Sequence, residues 1–342
     1  MDRFVCALIL SALLFASSAS PAAEPPGPYR VLAEWPIGGT DTAYDYLRVD
    51  VEARRLYVAH GTRVEVLDAD NGMRLGEITG MHGVHGIEVI PELGRGYTSN
   101  GLDRTVTVFD RATLAIRKVI AYTGAKPDAI QYDSGSKLLF VVNGGSTGDV
   151  TVIDPVLDAI VATVELGGSK LEQIGFDGSG RAFVNDEARN VIHVFDTKTL
   201  HKTATWPLGD CEEPTGMAVD RDHFRIFSAC GNEKLAILDS RTGIIVAMAP
   251  IGKDPDGAAF DAKTQRIFTS NREGTLSILH EASPNEFKPL QTLKTAPGAR
   301  TIAIDARTGR VVMPAAQLGP AAAGGGSTPI VPQSFKVVVA GE

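Results

Sequence analysis

Short stretches of alternating apolar and polar residues recur along the whole chain, separated by turns rich in Gly, Asp and Asn. One apolar stretch, usually closed by Asp, occurs seven times, at residues 47–50, 87–90, 130–133, 174–177, 217–220, 258–261 and 302–305. The last residues of successive copies lie 40, 43, 44, 43, 41 and 44 positions apart. This period is typical of a four-stranded β-propeller blade, so the pattern predicts seven blades.

Each repeat contains further strand patterns in a constant order. A second strand is indicated at residues 55–58, 95–98, 139–141, 181–184, 225–228 and 266–269, and a third ends at 66–68, 108–110, 152–154, 194–196, 237–239 and 278–280. A fourth follows a turn and ends in Gly, as at 162–167. Alternation of Val, Ile, Phe and Tyr between turn residues is typical of strands. We therefore predict an all-β fold of four-stranded antiparallel blades.

The seventh repeat stops before its fourth strand, and the missing strand is indicated at the other end of the chain. Residues 31–38 match the fourth strands of other repeats, above all 204–209, because Trp35 and Trp206 are each followed by Pro, an aliphatic residue and Gly. Pairing this segment with the C-terminal strands would close the ring and remove open sheet edges. We expect the N-terminal strand to complete the last blade.

The first residues have the order of a secretory signal peptide. Asp2 and Arg3 precede an apolar run at 4–16, and small residues lead to Ala23. This run is shorter than the roughly 20 residues of a membrane-spanning helix. We predict a signal peptide at 1–23, cleaved between Ser20 and Glu24, and one propeller domain at 24–342. The mature protein is expected to be periplasmic or secreted, without membrane insertion.

Charge and cysteine content narrow the range of partners. The net charge is −8 and no long Lys/Arg cluster occurs, so nucleic acid is not an expected partner. Cys6 leaves with the signal peptide, and Cys211 and Cys230 remain. An oxidising compartment favours a disulfide between them, and their positions at the entry of blade five and at the end of its second strand allow one. A pair of free thiols in a metal or redox site is the alternative.

Polar residues concentrate where an antiparallel blade would present them on one face. The residue two positions before each first strand gives one ring: Asp45, His85, Asp128, Glu172, Thr215, Asp256 and Arg300. The third position after the aromatic residue of strand two gives another: His60, Asn100, Asn143, Asp186, Cys230, Asn271 and Ala315. Acidic groups in such a mouth would attract cations. The alternative is that these residues cap strand starts and turns.

Three histidines fall near the same face, around the first two blades. His60, His82 and His85 are candidate ligands for a divalent metal ion, with Asp45 or Asp128 as a further ligand or as an orienting group. Loop packing and hydrogen bonding are the alternative roles. The Gly/Ala/Pro-rich insertion at 317–333 lies between strands two and three of the last blade, where it would act as a flap over the mouth or as an inert loop.

The second and third strands resemble the repeats of a known family. Segments such as 55–58, the third strands ending in Asp, and Asn100, Asn143 and Asn271 after strand two are similar to the YVTN propeller repeats of bacterial YncE-like proteins. The resemblance covers 29–342, with departures at Ala59-His60 and at Met313-Pro314. It implies a propeller and, for function, ligand binding or scaffolding.

Two classes of function follow from the sequence. The first is a non-catalytic binding or scaffold protein, monomeric, whose mouth takes a small molecule, a metal ion or an exported protein partner; no resident cofactor and no catalytic residue are assigned. The alternative is a periplasmic hydrolase, lactonase or lyase that uses His85, Asp128 and Glu172, with or without a divalent ion. No Gly-x-Ser-x-Gly elbow supports nucleophilic catalysis.

Overall fold

The computed structural model describes residues 27–41, 43–121, 126–145, 148–320 and 329–342. Within these ranges the chain forms seven sheets, each of four antiparallel strands. The spacing of the repeats therefore predicted the seven-bladed β-propeller correctly. The proposed signal peptide, 1–23, and the centre of the insertion, 321–328, lie outside the described residues.

The strands follow one another through the blades in chain order, except that the first strand belongs to the last blade. This strand is β1 (Arg30–Pro36). Blade one contains β2 (Leu47–Asp50), β3 (Arg55–His60), β4 (Arg63–Asp68) and β5 (Arg74–Thr79). Blade two contains β6 (Val84–Ile90), β7 (Arg95–Asn100), β8 (Thr105–Asp110) and β9 (Ile116–Ala121), with a short 3-10 helix at Pro91–Leu93. Blade three contains β10 (Pro127–Asp133), β11 (Leu138–Asn143), β12 (Asp149–Asp154) and β13 (Ala159–Glu165).

The second half of the ring repeats the arrangement. Blade four contains β14 (Leu171–Phe176), β15 (Arg181–Asp186), β16 (Val191–Asp196) and β17 (Lys202–Pro207). Blade five contains β18 (Pro214–Asp220), β19 (Arg225–Cys230), β20 (Lys234–Asp239) and β21 (Ile245–Pro250). Blade six contains β22 (Pro255–Asp261), β23 (Arg266–Asn271), β24 (Thr275–Ser283) and β25 (Glu286–Lys294). Blade seven contains β26 (Ala303–Ile304), β27 (Val311–Ala315), β28 (Lys336–Gly341) and β1.

Packing between neighbouring blades forms the core. The second and third strands are buried along most of their length, whereas fourth strands such as β5 are mostly exposed. Aromatic side chains fill the gaps between blades: the ring of Tyr57 in blade one lies 5.6 Å from that of Phe109 in blade two. Burial of each such ring stabilises the folded state by about 1.5–3 kcal/mol relative to an exposed ring. This explains why an aromatic or aliphatic residue recurs at the centre of strands two and three.

The Asp that closes most third strands caps the turn to the fourth strand. In blade one, Asp68 Oδ1 accepts hydrogen bonds from the backbone N–H groups of Asp70 and Asn71, at 2.8 and 3.1 Å. The same pair of bonds is made by Asp110, Asp154 and Asp196. A side chain that replaces lost ladder bonds in a tight turn explains the repeated Asp.

The N-terminal strand closes the ring, as predicted. β1 pairs antiparallel with β28, with Trp35 opposite Val337. Trp35 and Trp206 occupy equivalent places, because each lies against a turn glycine of the following blade, Gly72 or Gly243. Both glycines have a left-handed φ of 75°, and a Cβ on either would lie within 2.3 Å of the indole.

The predicted disulfide is present in blade five. Cys211 and Cys230 have Cα atoms 5.3 Å apart and are bonded through their sulfurs. Cys230 ends β19 and pairs with Pro214 at the start of β18. Since Cys211 is only three residues before Pro214, the register of these two strands brings the sulfurs together. Both residues are fully buried.

Candidate functional site at the mouth of the central channel

The loops that enter the first strands and those that join strands two and three meet at one end of the ring. All seven residues of the first predicted ring line a cavity of about 900 Å³ there. Loop residues after strand two, such as Leu102, Glu187 and Arg272, complete its wall. Eight acidic and four basic (Lys/Arg) side chains belong to the lining, so the mouth carries an excess of negative charge.

One side of the mouth holds a histidine between two carboxylates. His85 Nδ1 lies 2.6 Å from Asp45 Oδ2 and 3.9 Å from Asp128 Oδ1. Potential metal-ligand atoms of these three residues all lie within 4.8 Å of one another. Lys126, which is half exposed, approaches Asp128 at 3.4 Å from the rim.

The protonation of this cluster reflects its burial and its close charges. Burial disfavours the imidazolium form of His85, but the hydrogen bond that His85 donates to Asp45 and the charges of Asp128 and Asp45 outweigh it and raise the pKa of His85. Burial also raises the pKa of Asp128, opposed by the charge of His85 and assisted by that of Asp45. A cation placed here would relieve the repulsion between the carboxylates.

A second acidic pair lies farther round the mouth. Burial, a hydrogen bond with Glu187 and the charge of Asp128 raise the pKa of Glu172 to about 10. Glu172 is therefore a protonated carboxyl group at neutral pH. Lys170 Nζ lies 2.5 Å from Glu187 and 3.9 Å from Glu172, so one exposed ammonium group partly balances the pair.

The opposite side of the mouth is a closed ion network. Asp256 Oδ2 accepts hydrogen bonds from Arg300 at 2.7 Å and from Arg272 at 2.9 Å. Burial would raise the pKa of Asp256, but the two guanidinium groups hold it well below its usual range. Arg300 also donates to the carbonyl of Tyr44 at 3.2 Å, which fixes its position between blades seven and one.

Tyr46 forms the floor between the mouth and the inner channel. It lines both the large cavity and a smaller one of about 150 Å³ that continues between the first strands. Burial and the carboxylates of Asp128, Asp45 and Glu172 raise the pKa of the Tyr46 phenol well above its ordinary value. The phenol therefore stays neutral at neutral pH.

The second predicted ring lies inside the blades rather than in the cavity wall. His60, Asn100, Asn143, Asp186 and Asn271 are at most 1% exposed. Each bonds to side chains of the third strand: His60 to Glu65, Asn100 to Thr105 and Thr107, Asn143 to Asp149, Asp186 to His193, and Asn271 to Thr275 and Ser277. These hydrogen bonds join the ends of the second strands to the third strands, and Cys230 is bridged to Cys211.

The three candidate histidines are not brought together as one ligand set. His60 is buried, with its ring 4.3 Å from that of Phe335. His82 is exposed and lies 2.9 Å from Asp103. Among the described residues, only His85 of the three belongs to a cluster with ligand geometry, and that cluster includes Asp45 and Asp128.

Sequence reasoning missed several residues of the mouth, although a signal for them exists. Lys126, Lys170, Glu213 and Asp254 all line the cavity and stand two positions before a residue of the first ring. Side chains two apart on an extended chain point to the same side. Including the residue two positions before each member of the first ring would therefore have identified all four.

Fold and site together define a seven-bladed β-propeller with a polar, mainly acidic mouth. The crystal structure of the RRP9 WD40 repeats is similar to this chain, with a TM-score of 0.74 and 10% sequence identity over 92% of this chain and 98% of that chain. No protein-family model and no curated protein matches the sequence. At this identity the likeness concerns the fold alone. Within the described ranges, no helix is long and apolar enough to cross a membrane.

Proposed function

We propose that this protein is an exported, periplasmic and monomeric binding protein whose mouth takes a small cationic ligand. The assignment to the YVTN-repeat, YncE-like propellers is part of the proposal and is supported by the repeat residues. The single observation that carries the proposal is the convergence of the first ring on one cavity in which acidic side chains outnumber Lys and Arg by eight to four.

The charge distribution favours a cation over an anion. Arg300 and Arg272 both bind Asp256, so their positive charges are already neutralised. Among the described residues Asp128 has no comparable partner, since Lys126 lies 3.4 Å away and is half exposed and His85 Nδ1 lies 3.9 Å away. The two sources of a cationic group that fit are an organic amine and a divalent metal ion, because carboxylate and imidazole bind both.

The test measures ligand binding by calorimetry at low and at physiological salt. Wild-type protein is titrated with Zn²⁺, with Mg²⁺ and with a series of aliphatic mono- and diamines. Asp128→Asn keeps the shape and removes one charge, and Glu52→Gln removes a charge from the opposite face, where Glu52 is 73% exposed. Affinity should fall in Asp128→Asn, remain in Glu52→Gln, and weaken with salt.

The outcome also separates the two cation sources. Binding of metal alone, or of amines alone, identifies the ligand class. Failure of every probe to bind, or equal weakening in both variants, would overturn the proposal.

A second candidate function rests on the Asp45–His85 contact. A carboxylate 2.6 Å from an imidazole orients it as a general base, and the protonated Glu172 would supply a general acid in the same cavity. A hydrolase, lactonase or lyase would use this pair. A screen of lactones and esters tests it: turnover that disappears in His85→Gln would favour the enzyme over the binding protein.

A further inference from the structure

A polar cluster lies between blades five and six on the face opposite the mouth, where the turns between strands one and two emerge. Asp220 ends β18, His223 lies in the turn to β19, and Glu281 belongs to β24. His223 Nδ1 is 2.8 Å from Asp220 Oδ2 and 3.3 Å from Glu281 Oε1. One potential ligand atom from each residue lies within 4.8 Å of the other two.

The repeat shows what normally occupies this place. The residue that follows the turn-capping position of the third strand donates its backbone N–H to the residue before the second strand. It is Ala69, Arg111, Thr197, Ser240 or Glu281 in the blades that make this bond. In blade two, Arg111 reaches back to Asp50 of blade one with hydrogen bonds of 2.6 and 2.7 Å. Asp50 and Asp220 are equivalent, because each ends a first strand. Blade six therefore presents a carboxylate to Asp220 where blade two presents a guanidinium to Asp50.

The sequence of blade six explains how Glu281 reaches this position. His280 replaces the Asp that closes the third strand in blades one to five. Without that turn cap, β24 and β25 continue as a hairpin of nine residues on each side. The Glu281 side chain is consequently buried against blade five.

Four polar atoms of the cluster have no hydrogen-bond partner among the described residues. They are Asp220 Oδ2, His223 Nδ1 and both carboxylate oxygens of Glu281, so the short His223–Asp220 distance is not an aligned hydrogen bond. The side chains of Asp220 and Glu281 are at most 1% exposed. Arg225 is engaged by Asp239 and by the carbonyl of Pro284. Burying the carboxylates of Asp220 and Glu281 without a bonded cation lowers the free energy of unfolding, unless a bound metal ion compensates their charge.

We propose that Asp220, His223 and Glu281 bind one divalent transition-metal ion, such as Zn²⁺, which links blades five and six. One imidazole nitrogen and two carboxylate oxygens suit this class of ion. The His223 side chain is 36% exposed, so water can complete the coordination and the ion can enter from solvent.

The experiment titrates metal-free protein with Zn²⁺ by calorimetry and follows the melting temperature. All variants are made in a His85→Gln background, which removes the histidine of the mouth. We expect one ion per chain and a melting temperature that rises with Zn²⁺ concentration. Because loss of an outer partner alone weakens metal binding about 10–100-fold, loss of the ligand Glu281 should weaken it by at least about 100-fold.

Glu281→Arg is the decisive variant, since it recreates the Asp50–Arg111 arrangement. It should lose Zn²⁺ binding. Without metal, its melting temperature should equal or exceed that of the metal-free parent, the His85→Gln protein. Glu281→Gln and His223→Ala provide the same binding test if the Arg variant does not fold. The proposal is overturned if the parent takes up no Zn²⁺ at about 1 mM, or if these variants bind it as tightly as the parent.

Discussion

Breaking the disulfide is a test of stability whose size can be worked out from the chain. Cys211 and Cys230 are 19 positions apart. In the chain-entropy model, closing a loop of that size stabilises the folded state by about 3 kcal/mol. Unfolding entropy of about 2.1 cal/mol/K per residue, taken over residues 24–342, converts this into a fall of about 5 °C in melting temperature.

The assay compares three samples by calorimetry and urea unfolding: oxidised protein, protein refolded under reductant, and the double variant Cys211→Ala/Cys230→Ala. The sulfurs pack in a cluster with Leu208 and Met217. Reduction keeps these atoms in place, whereas alanine leaves a void that costs about 1–2 kcal/mol more. We therefore expect the stability order oxidised, then reduced, then double variant.

Two results would refute the reasoning. Equal urea midpoints for oxidised and reduced protein would mean that the crosslink does not restrict the unfolded chain. Two alkylatable thiols in protein that is isolated and denatured without reductant would mean that the bridge does not form.

Three further predictions concern the closure and the mouth. Deleting residues 24–38 removes β1 and exposes the edge of β28, so cooperative melting by circular dichroism should be lost; a native-like transition would contradict ring closure. Asp256→Asn leaves the partly exposed Arg300 without its charge partner and should cost about 2 kcal/mol in urea unfolding. In the wild type, the stabilisation of the folded state by the lowered pKa of Asp256 is present above its unfolded pKa of about 3.9 and is lost as pH falls through its native pKa. An unchanged urea midpoint in Asp256→Asn would refute a stabilising role of this ion network. Asp45→Asn should lower the pKa of His85 in an NMR titration. In the wild type, the stabilisation of the folded state by the His85–Asp45 pair is complete below the unfolded pKa of about 6.5 and is lost as pH rises through the raised folded pKa. An unaltered titration of His85 in Asp45→Asn would show that Asp45 does not hold the imidazolium.

The fold could be predicted because every blade is a four-stranded antiparallel sheet with a similar pattern of strand and turn residues. The first strand recurs seven times and the turn-capping Asp five times in the same order, so an error at one boundary is corrected by the other repeats. The closure by the N-terminal strand was also visible, because the residues around Trp35 match those around Trp206; the structure shows that both indoles contact an equivalent turn glycine. What the sequence did not indicate is the length of the β24–β25 hairpin, because one substitution at the turn-capping position, His280, removed the stop signal.

The mouth could be predicted only in part, because adjacent residues at a strand end point in different directions. Asp186 ends β15 and lies between strands, bonded to His193, whereas Glu187 lines the cavity. A shift of one residue changes the face on which a side chain lies. In blades four to six, the cavity-lining residues Glu187, Gly231 and Arg272 come one position after the residues that the rule for the second ring selected.

The charge pairs of the mouth follow a spacing that the sequence does contain. In a propeller, a first strand lies beside the first strand one repeat later, so residues about 40–44 positions apart become neighbours, as residues three or four apart do on a helix. Asp45 meets His85 at 40 positions, Arg48 meets Glu88 at the same spacing, and Asp256 meets Arg300 at 44. Opposite charges at the repeat period thus indicate ion pairs before any coordinates are known. Two acidic residues at that period, such as Asp128 and Glu172 at 44 positions, form no ion pair with each other, and the charge of Asp128 helps to keep Glu172 protonated. A ligand cation would reach the Asp128 carboxylate without displacing two guanidinium groups, and for this reason this side of the mouth, rather than the Asp256 side, is the proposed site.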